Sequence, residues 1–397
     1  MTIPAEFLIF GATLLGVAVL HRQALPIAAT GLAAVLVYQG LFGEFPSGPG
    51  VPGLAAHFAH EWVTLVNLLF LLVGFSLVSR HFEESGVPNA LPRYLPDDWK
   101  GAFLLLVLVF VMSGFLDNIA GALIGAAMAH TLFRGRLRVG YLAAIVAASN
   151  AGGAGSVIGD TTTTMMWIEG VSPVDVLHAY VAATVALLVF GFSAARQQQR
   201  FAPIVKDNLP VEIDWIRVGV TAFVLAAAVA VNVSVNLHWG EYADRFPFLG
   251  ATIALALIVT IPLRSPDWSV LPGALKGSLF LLCLVALASL MPVESLPDPT
   301  WKTALALGFI SAGFDNIPLT AMALAQGGYD WGVLAYAVGF GGSILWFGSS
   351  AGVAICGMYP EARSTGRWLG EGWLIIVAYV AGFTALLVTL GWRPHDF

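Results

Sequence analysis

Residues 150–167 read Asn150-Ala-Gly-Gly-Ala-Gly-Ser-Val-Ile-Gly-Asp160-Thr-Thr-Thr-Thr-Met-Met-Trp167, and they interrupt an otherwise lipid-compatible helix. Four glycines (Gly152, Gly153, Gly155 and Gly159), the carboxylate of Asp160 and the hydroxyls of Thr161, Thr162, Thr163 and Thr164 lie between the apolar runs 141–148 and 165–168. The backbone is expected to unwind there, inside the membrane. Free N–H and C=O groups in hydrocarbon cost several kcal/mol each, so unwound backbone needs a partner. Broken helices use their half-helix ends and freed carbonyls to hold ions or substrates. The stretch therefore reads as a transport site.

Composition sets the context. With 58% hydrophobic and 11% charged residues over 397 positions and a mean hydropathy of +0.83, the chain is a polytopic membrane protein, because a soluble domain carries about a quarter of its residues charged. A net charge of −6 argues against nucleic acid, which wants a basic face. Cys283 and Cys356 lie in apolar segments and form neither a disulfide framework nor a zinc site. Residues 1–6 lack the basic start of a signal peptide, so the first apolar run is expected to stay as a helix.

Crossings are expected at 3–20, 24–42 and 62–79. The runs 101–116 and 119–133 are each too short to span alone, reaching about 22 Å of helix against a core of about 30 Å. Between them lies Ser113-Gly-Phe-Leu-Asp117-Asn118. This reads as a re-entrant hairpin with a polar tip at the midplane; the other reading is a kinked pair of crossings. The interrupted helix at 138–168 and a crossing at 173–193 follow. The same order then returns. Crossings at 215–235, 247–263 and 269–291 precede a hairpin at 301–326 with Ser311-Ala-Gly-Phe-Asp315-Asn316-Ile317 at its tip, a broken helix at 331–358 and a crossing at 369–392. Both tips read S-x-x-x-D-N-I, and Gly152-Gly153 and Gly159 recur as Gly341-Gly342 and Gly348, which pairs Asp160-Thr161 with Ser349-Ser350. The fold class expected is all-α, with two inverted repeats, 1–193 and 214–392. Each has five transmembrane helices plus a re-entrant hairpin, and the odd number inverts the second repeat.

Positive charge tests the orientation. With both termini outside, fourteen of the 18 Lys and Arg residues fall at inner loops or inner helix ends, from Arg22 through Arg138 and Lys206 to Arg367. Arg245, Lys302 and Arg393 fall outside, and Lys276 falls within a crossing. The positive-inside rule supports this arrangement. The first hairpin then enters from the cytoplasm and the second from outside, with 80–100 and 194–213 as the main cytoplasmic loops. A bacterial inner membrane is the expected location.

The strings SGFLDNIAGAL, NAGGAGSVIGDTTTTMMW, SAGFDNIPLTAMA and GGSILWFGSSAGVAICG resemble the ion transporter superfamily, in particular its NhaD-type sodium/proton antiporters and the related citrate transporters. The resemblance covers about residues 60–392. It implies that tips and breaks together form the site, which carries over Asp117, Asn118, Asp160, Thr161, Asp315, Asn316, Ser349 and Ser350. It also implies a homodimer through the first three helices of each half. Ser113, Asn150, Thr162 and Ser311 are further polar candidates beside them, with Gly155 among the hinge glycines. Carboxylate-transporting relatives show Ser-Asn-Thr at the tips, whereas this chain has Asp-Asn-Ile at both.

The chemistry of the residues points to ions. Intramembrane carboxylates are functional by default, and Asp117, Asp160 and Asp315 would converge as a Na⁺ site in which the ion competes with protons. No cofactor is expected, only Na⁺ and H⁺ as coupling ions. Helix N-termini at Thr161 and Ser350 favour anions, so a citrate or dicarboxylate symporter is the alternative. No midplane arginine is present to receive it. An aspartyl protease would need Gly-x-Gly-Asp, and Val157 stands first here; a channel fits opposed hairpins less well than alternating access does. The chain is thus not read as an enzyme. Lys276 is expected to snorkel or to balance a carboxylate. His57, His60 and Glu61 are a metal-binding trio by type, but their place beside Trp62 at the edge of a crossing favours an interfacial cluster, and Asn67 and Glu371 either line the path or join helices.

Overall fold

The computed structural model describes residues 4–20, 23–205, 211–238, 242 and 245–395. Arg22, Lys206 and the outermost residue of the first expected crossing lie outside the described residues. Among the described residues the regular structure is helical, apart from a two-residue pairing of Glu44–Phe45 with Gly48–Pro49. Among the described residues, five helices are long and apolar enough to cross a membrane, or six if a bent pair counts as one. The protein is an integral membrane protein.

It divides into two compact units. One comprises Met1–Arg80, Gly219–Pro297 and Ile317–Gln326. Here Ala5–Val19 lies on Ala24–Phe42, with Gly31 seated directly on the Thr13 side chain. Buried Gln39 donates to the Leu290 carbonyl at 3.0 Å, tying Ala24–Phe42 to the end of Leu271–Ser289. The third helix, Gly50–Glu84, runs 35 residues, well beyond the 62–79 expected, because its first turns stay helical through the polar His57-Phe-Ala-His-Glu61 stretch. Asn67 Oδ1 on that helix accepts from the Gly250 N–H at 3.0 Å. The bond satisfies one of the orphan amides in the first turn of Phe248–Thr260, so Asn67 joins helices. His57 faces the Ser289 hydroxyl at 3.1 Å, and Lys276 is exposed on its helix.

The other unit comprises His81–Val218, Asp298–Asn316 and Gly327–Phe397. Trp99–Ser113 and Asn118–Leu132, 15 residues each, are joined by a short turn and pack on one another. Next come two half-helices, Val139–Ala154 and Thr161–Ile168, then Pro173–Leu177 continuing into Ala179–Phe201. Later in the chain the pattern returns with Trp301–Ser311 and with the half-helices Trp331–Gly341 and Ser350–Met358. Every residue of Val139–Ala154 and of Trp331–Gly341 is buried. A helix apolar on all sides belongs in the middle of a bundle, and these two form the core of the unit. Ala179–Phe201 and the last helix, Leu374–Leu390, pack together beside them.

The last crossing differs from the single run 369–392 that the sequence suggests. Thr365–Gly372 meets Leu374–Leu390 at 56°. The short segment is held along Val139–Ala154, since Glu371 accepts from the Gly140 N–H at 3.0 Å and from Arg138 Nε at 3.3 Å. Gly372 lies against Ala143, where a Cβ would be 3.4 Å from that residue's own. Glu371 therefore anchors a helix start.

Both breaks are built on close backbone approaches that only glycine permits. A Cβ on Gly152 would strike the Phe110 carbonyl, and one on Gly341 the Gly308 carbonyl. One on Gly159 would strike the Ser113 carbonyl, and one on Gly348 the Ala312 carbonyl. Between the arms of each break, Gly153 faces the Gly159 oxygen and Gly342 faces the Gly348 oxygen, both at 2.7 Å from an added Cβ. Gly159→Ala is accordingly expected to separate the break from the hairpin turn. Overpacking of this kind costs about 1–3 kcal/mol, which thermal unfolding of the purified protein would register as a lower midpoint together with reduced membrane yield.

Candidate functional site

The freed backbone of the first break finds its partners locally. Tyr180 donates its hydroxyl to the Gly152 carbonyl at 3.1 Å, Thr163 Oγ1 donates to the Ser156 carbonyl at 2.6 Å, and Thr164 Oγ1 donates to the Val157 carbonyl at 2.9 Å. Ser156 Oγ reaches the hairpin turn, donating to the Gly114 carbonyl at 2.6 Å. Two of the four consecutive threonines thus serve backbone carbonyls. A third, Thr162, donates both its N–H and its hydroxyl to Asp160 Oδ1, each at 3.0 Å. Asp160 is the N-cap of Thr161–Ile168 and only 2% exposed.

From Asp160 a chain of neutral hydrogen bonds runs through the unit. Asn118, first residue of Asn118–Leu132, donates from Nδ2 to Asp160 Oδ2 at 3.1 Å and to Asn150 Oδ1 at 3.3 Å. Asn150, on Val139–Ala154, donates from Nδ2 to Ser343 Oγ at 2.9 Å and Ser349 Oγ at 3.1 Å. Ser349 N-caps Ser350–Met358, its Oγ accepting from the Gly352 N–H at 3.2 Å. One tip, two half-helix pairs and both breaks are thereby linked.

The other aspartates stand around this chain. Asp117 is the N-cap of Asn118–Leu132 and makes no side-chain cap hydrogen bond, and it is close enough to Asp160 for their charges to repel. Asp315 is likewise felt at Asp160, and it accepts from Ser350 Oγ at 3.1 Å. Asp160 receives its bonds from neutral donors, and among the described residues no salt bridge reaches it. Thr161 opens its half-helix and is 9% exposed, while Asn316 is buried at the start of Asn316–Gln326.

Two further candidate site residues, Ser311 and Ser113, hydrogen-bond the buried half-helices. Ser311 Oγ donates to the Val338 carbonyl at 2.8 Å. Ser113 Oγ accepts from Ser149 at 3.1 Å, and Ser149 also faces the Asn118 carbonyl at 2.6 Å. The two tip serines thus hold the buried half-helices at corresponding positions, Ser149 and Val338.

The citrate transporter family model matches residues 15–341. The chain belongs to this family. A relative called sodium/proton antiporter 1 in Arabidopsis thaliana is 28% identical over 335 residues, covering 75% of this chain; the chain spans 55% of that relative's length. Proteins called Na⁺/H⁺ antiporter NhaD in Vibrio parahaemolyticus and Alkalimonas amylolytica are 29% and 27% identical, covering 78% and 96% of this chain and 86% and 89% of their own lengths. The family and these relatives are transporters rather than enzymes.

In this citrate transporter family member Ser149 and Ser343 also join the hydrogen-bond chain. Ser149 carried a signal, since Ser149-Asn150 is a polar pair at the end of the apolar run 141–148. Ser343 carried none, because its counterpart five residues before the break glycine in the first half is Ala154. Trp368, fully buried, donates its indole N–H to the Ser343 carbonyl at 3.3 Å. No sequence pattern marks a contact between positions so far apart.

Proposed function

We propose that this transporter exchanges Na⁺ for H⁺ by alternating access, with the Asp160 carboxylate shared between the two ions and Asp117 and Asp315 beside it. The observation that carries the reading is Asp160, a carboxylate 2% exposed at a helix break, held by neutral donors and flanked by two more carboxylates. Buried charges need a partner, and here a proton or a small cation supplies it. Among the described residues no three acidic, His or Cys side chains stand close enough to hold one metal ion. A sodium ion would therefore take the Asp160 carboxylate together with hydroxyl, amide and backbone oxygens. The relatives named as sodium/proton antiporters support the choice of ion.

The repeat reading belongs with this mechanism. The matched glycine approaches at Gly152 and Gly341, and at Gly159 and Gly348, support two halves, 1–193 and 214–392, built alike. Inverted, they would present the hairpin tips from opposite sides of a bacterial inner membrane, with both termini outside. Cysteines placed singly in 131–138 and 327–330 should react with impermeant reagent from the cytoplasmic and the external side respectively. Reaction of both from one side would eliminate opposed hairpins.

The second reading, a Na⁺- or H⁺-coupled citrate or dicarboxylate symporter, draws on the description of the family and on the half-helix N-termini at Thr161 and Ser350, which favour anions. Reconstituted vesicles separate the two. Na⁺-driven proton movement without uptake of labelled citrate supports exchange, and Na⁺-dependent citrate uptake without proton antiport supports the symporter.

A further inference from the structure

The two breaks share a backbone design but differ in the oxygens they leave open. Asp160 and Ser349 occupy equivalent places, each following the second break glycine and capping the second half-helix. At Ser349 the oxygen is full. Its Oγ accepts from the Gly352 N–H and from Asn150 Nδ2, which uses both lone pairs of a hydroxyl. At Asp160, Oδ1 is full in the same way, taken by the N–H and hydroxyl of Thr162. Oδ2 accepts from Asn118 and, as a carboxylate oxygen with two acceptor positions, keeps one open.

Amide orientation follows from this arrangement. Asn118 has two N–H bonds to give, and it gives one to Asp160 Oδ2 and one to Asn150 Oδ1. The oxygen of Asn150 therefore faces Asn118, and its NH₂ faces Ser343 and Ser349. Each hydrogen of that group carries partial positive charge into the place a cation would need. The equivalent position in the second half is Gly339, since Asn150 and Gly339 each stand nine residues before their break glycine. Gly339 sends nothing toward Asp160: a Cβ there would sit 3.5 Å from Asp160 Oδ2 and 3.2 Å from Ala154 Cβ. The first break keeps an open acceptor on its cap residue, beside an absent side chain, while at the second the cap residue's acceptor is occupied and the nearby Asp315 carboxylate is bonded by Ser350.

We infer that each chain holds one cation, at the Asp160 break, and that the Asn150 amide fills the equivalent place at the Ser349 break as a built-in donor that keeps a second cation out. This rests on the sodium/proton reading above. Equilibrium binding of radioactive Na⁺ to the purified full-length protein, at alkaline pH and saturating ion, counts the sites. Wild type should bind one Na⁺ per chain with a Hill coefficient of about 1. Asp160→Asn should bind none. Asn150→Asp, which replaces the donor with a carboxylate, should bind two.

Two ions per wild-type chain would overturn the inference. So would one ion retained by Asp160→Asn, or one ion in an Asn150→Asp protein that melts like wild type. If Asn150→Asp does not insert, the wild-type count and the Asp160→Asn result decide. Absence of any Na⁺ binding in wild type, with citrate raising its melting temperature, would instead remove the sodium/proton reading itself.

Discussion

Asp160→Asn should abolish Na⁺-driven proton exchange in vesicles while leaving the protein inserted and folded. Asparagine keeps the size of the side chain and the oxygen that accepts from Thr162, and Asn and Asp are about equal as N-caps. The one hydrogen bond lost, from Asn118 to Oδ2, costs about 1–3 kcal/mol, so the melting temperature should fall modestly while the protein still inserts and folds. What is lost is the buried carboxylate at the break able to trade a proton for a cation, and Asn118 loses the acceptor at Oδ2. Interactions of a charged group are worth about 1.5–3 kcal/mol, so exchange should fall at least about a hundredfold, the equivalent of about 2.7 kcal/mol. A pH-sensitive dye in inverted vesicles reads the rate. Survival of exchange would reduce Asp160 to a helix cap.

Asp117→Ala and Asp315→Ala form the second large expectation. Each aspartate belongs to a different tip and lies beside Asp160, so removal of either should lower exchange by a similar factor, about a hundredfold. Asp315 also accepts from Ser350 Oγ. Its loss leaves a hydroxyl without that bond, at about 1 kcal/mol of stability, which is too small to remove the protein from the membrane. Activity measured per inserted molecule separates the two roles. Normal exchange with reduced yield would mean that the tips are structural, whereas normal yield with lost exchange is the expected outcome.

Much of this arrangement is legible in the residues because glycine and intramembrane polarity have few other uses. Gly152-Gly153, Gly159 and their counterparts mark the breaks, since only a missing Cβ lets those backbones touch Phe110, Ser113, Gly308 and Ala312. Asp117, Asn118, Asn150, Asp160 and Ser349 stand out as polar groups in apolar runs, and in the fold they or their neighbours bond one another. What the sequence hides is the division of labour among hydroxyls. Thr163 and Thr164 are the same residue type as the candidates Thr161 and Thr162, yet their hydroxyls satisfy carbonyls freed by the break. That assignment depends on which way each side chain turns.

Long-range bonds are hidden for a related reason. Nothing in the spacing of Glu371 and Gly140, or of Trp368 and Ser343, foretells that Thr365–Gly372 lies along the first broken helix and bends away from Leu374–Leu390. Hydropathy reads 369–392 as one run because it weighs each residue against lipid alone. It takes no account of which glycine, here Gly372 against Ala143, lets one helix approach another.

Competition between ions at Asp160 and its neighbouring carboxylates is tested most directly by the apparent Na⁺ affinity of the purified protein as a function of pH. At low pH protons occupy the carboxylates and exclude Na⁺; as pH rises the site ionises and accepts the cation. With one proton released per ion bound, affinity should improve by up to about tenfold per pH unit, or about 1.4 kcal/mol, and level off once the site is fully ionised. A Na⁺ affinity independent of pH, alongside Na⁺-dependent stabilisation by citrate, would contradict shared carboxylates and point to symport instead.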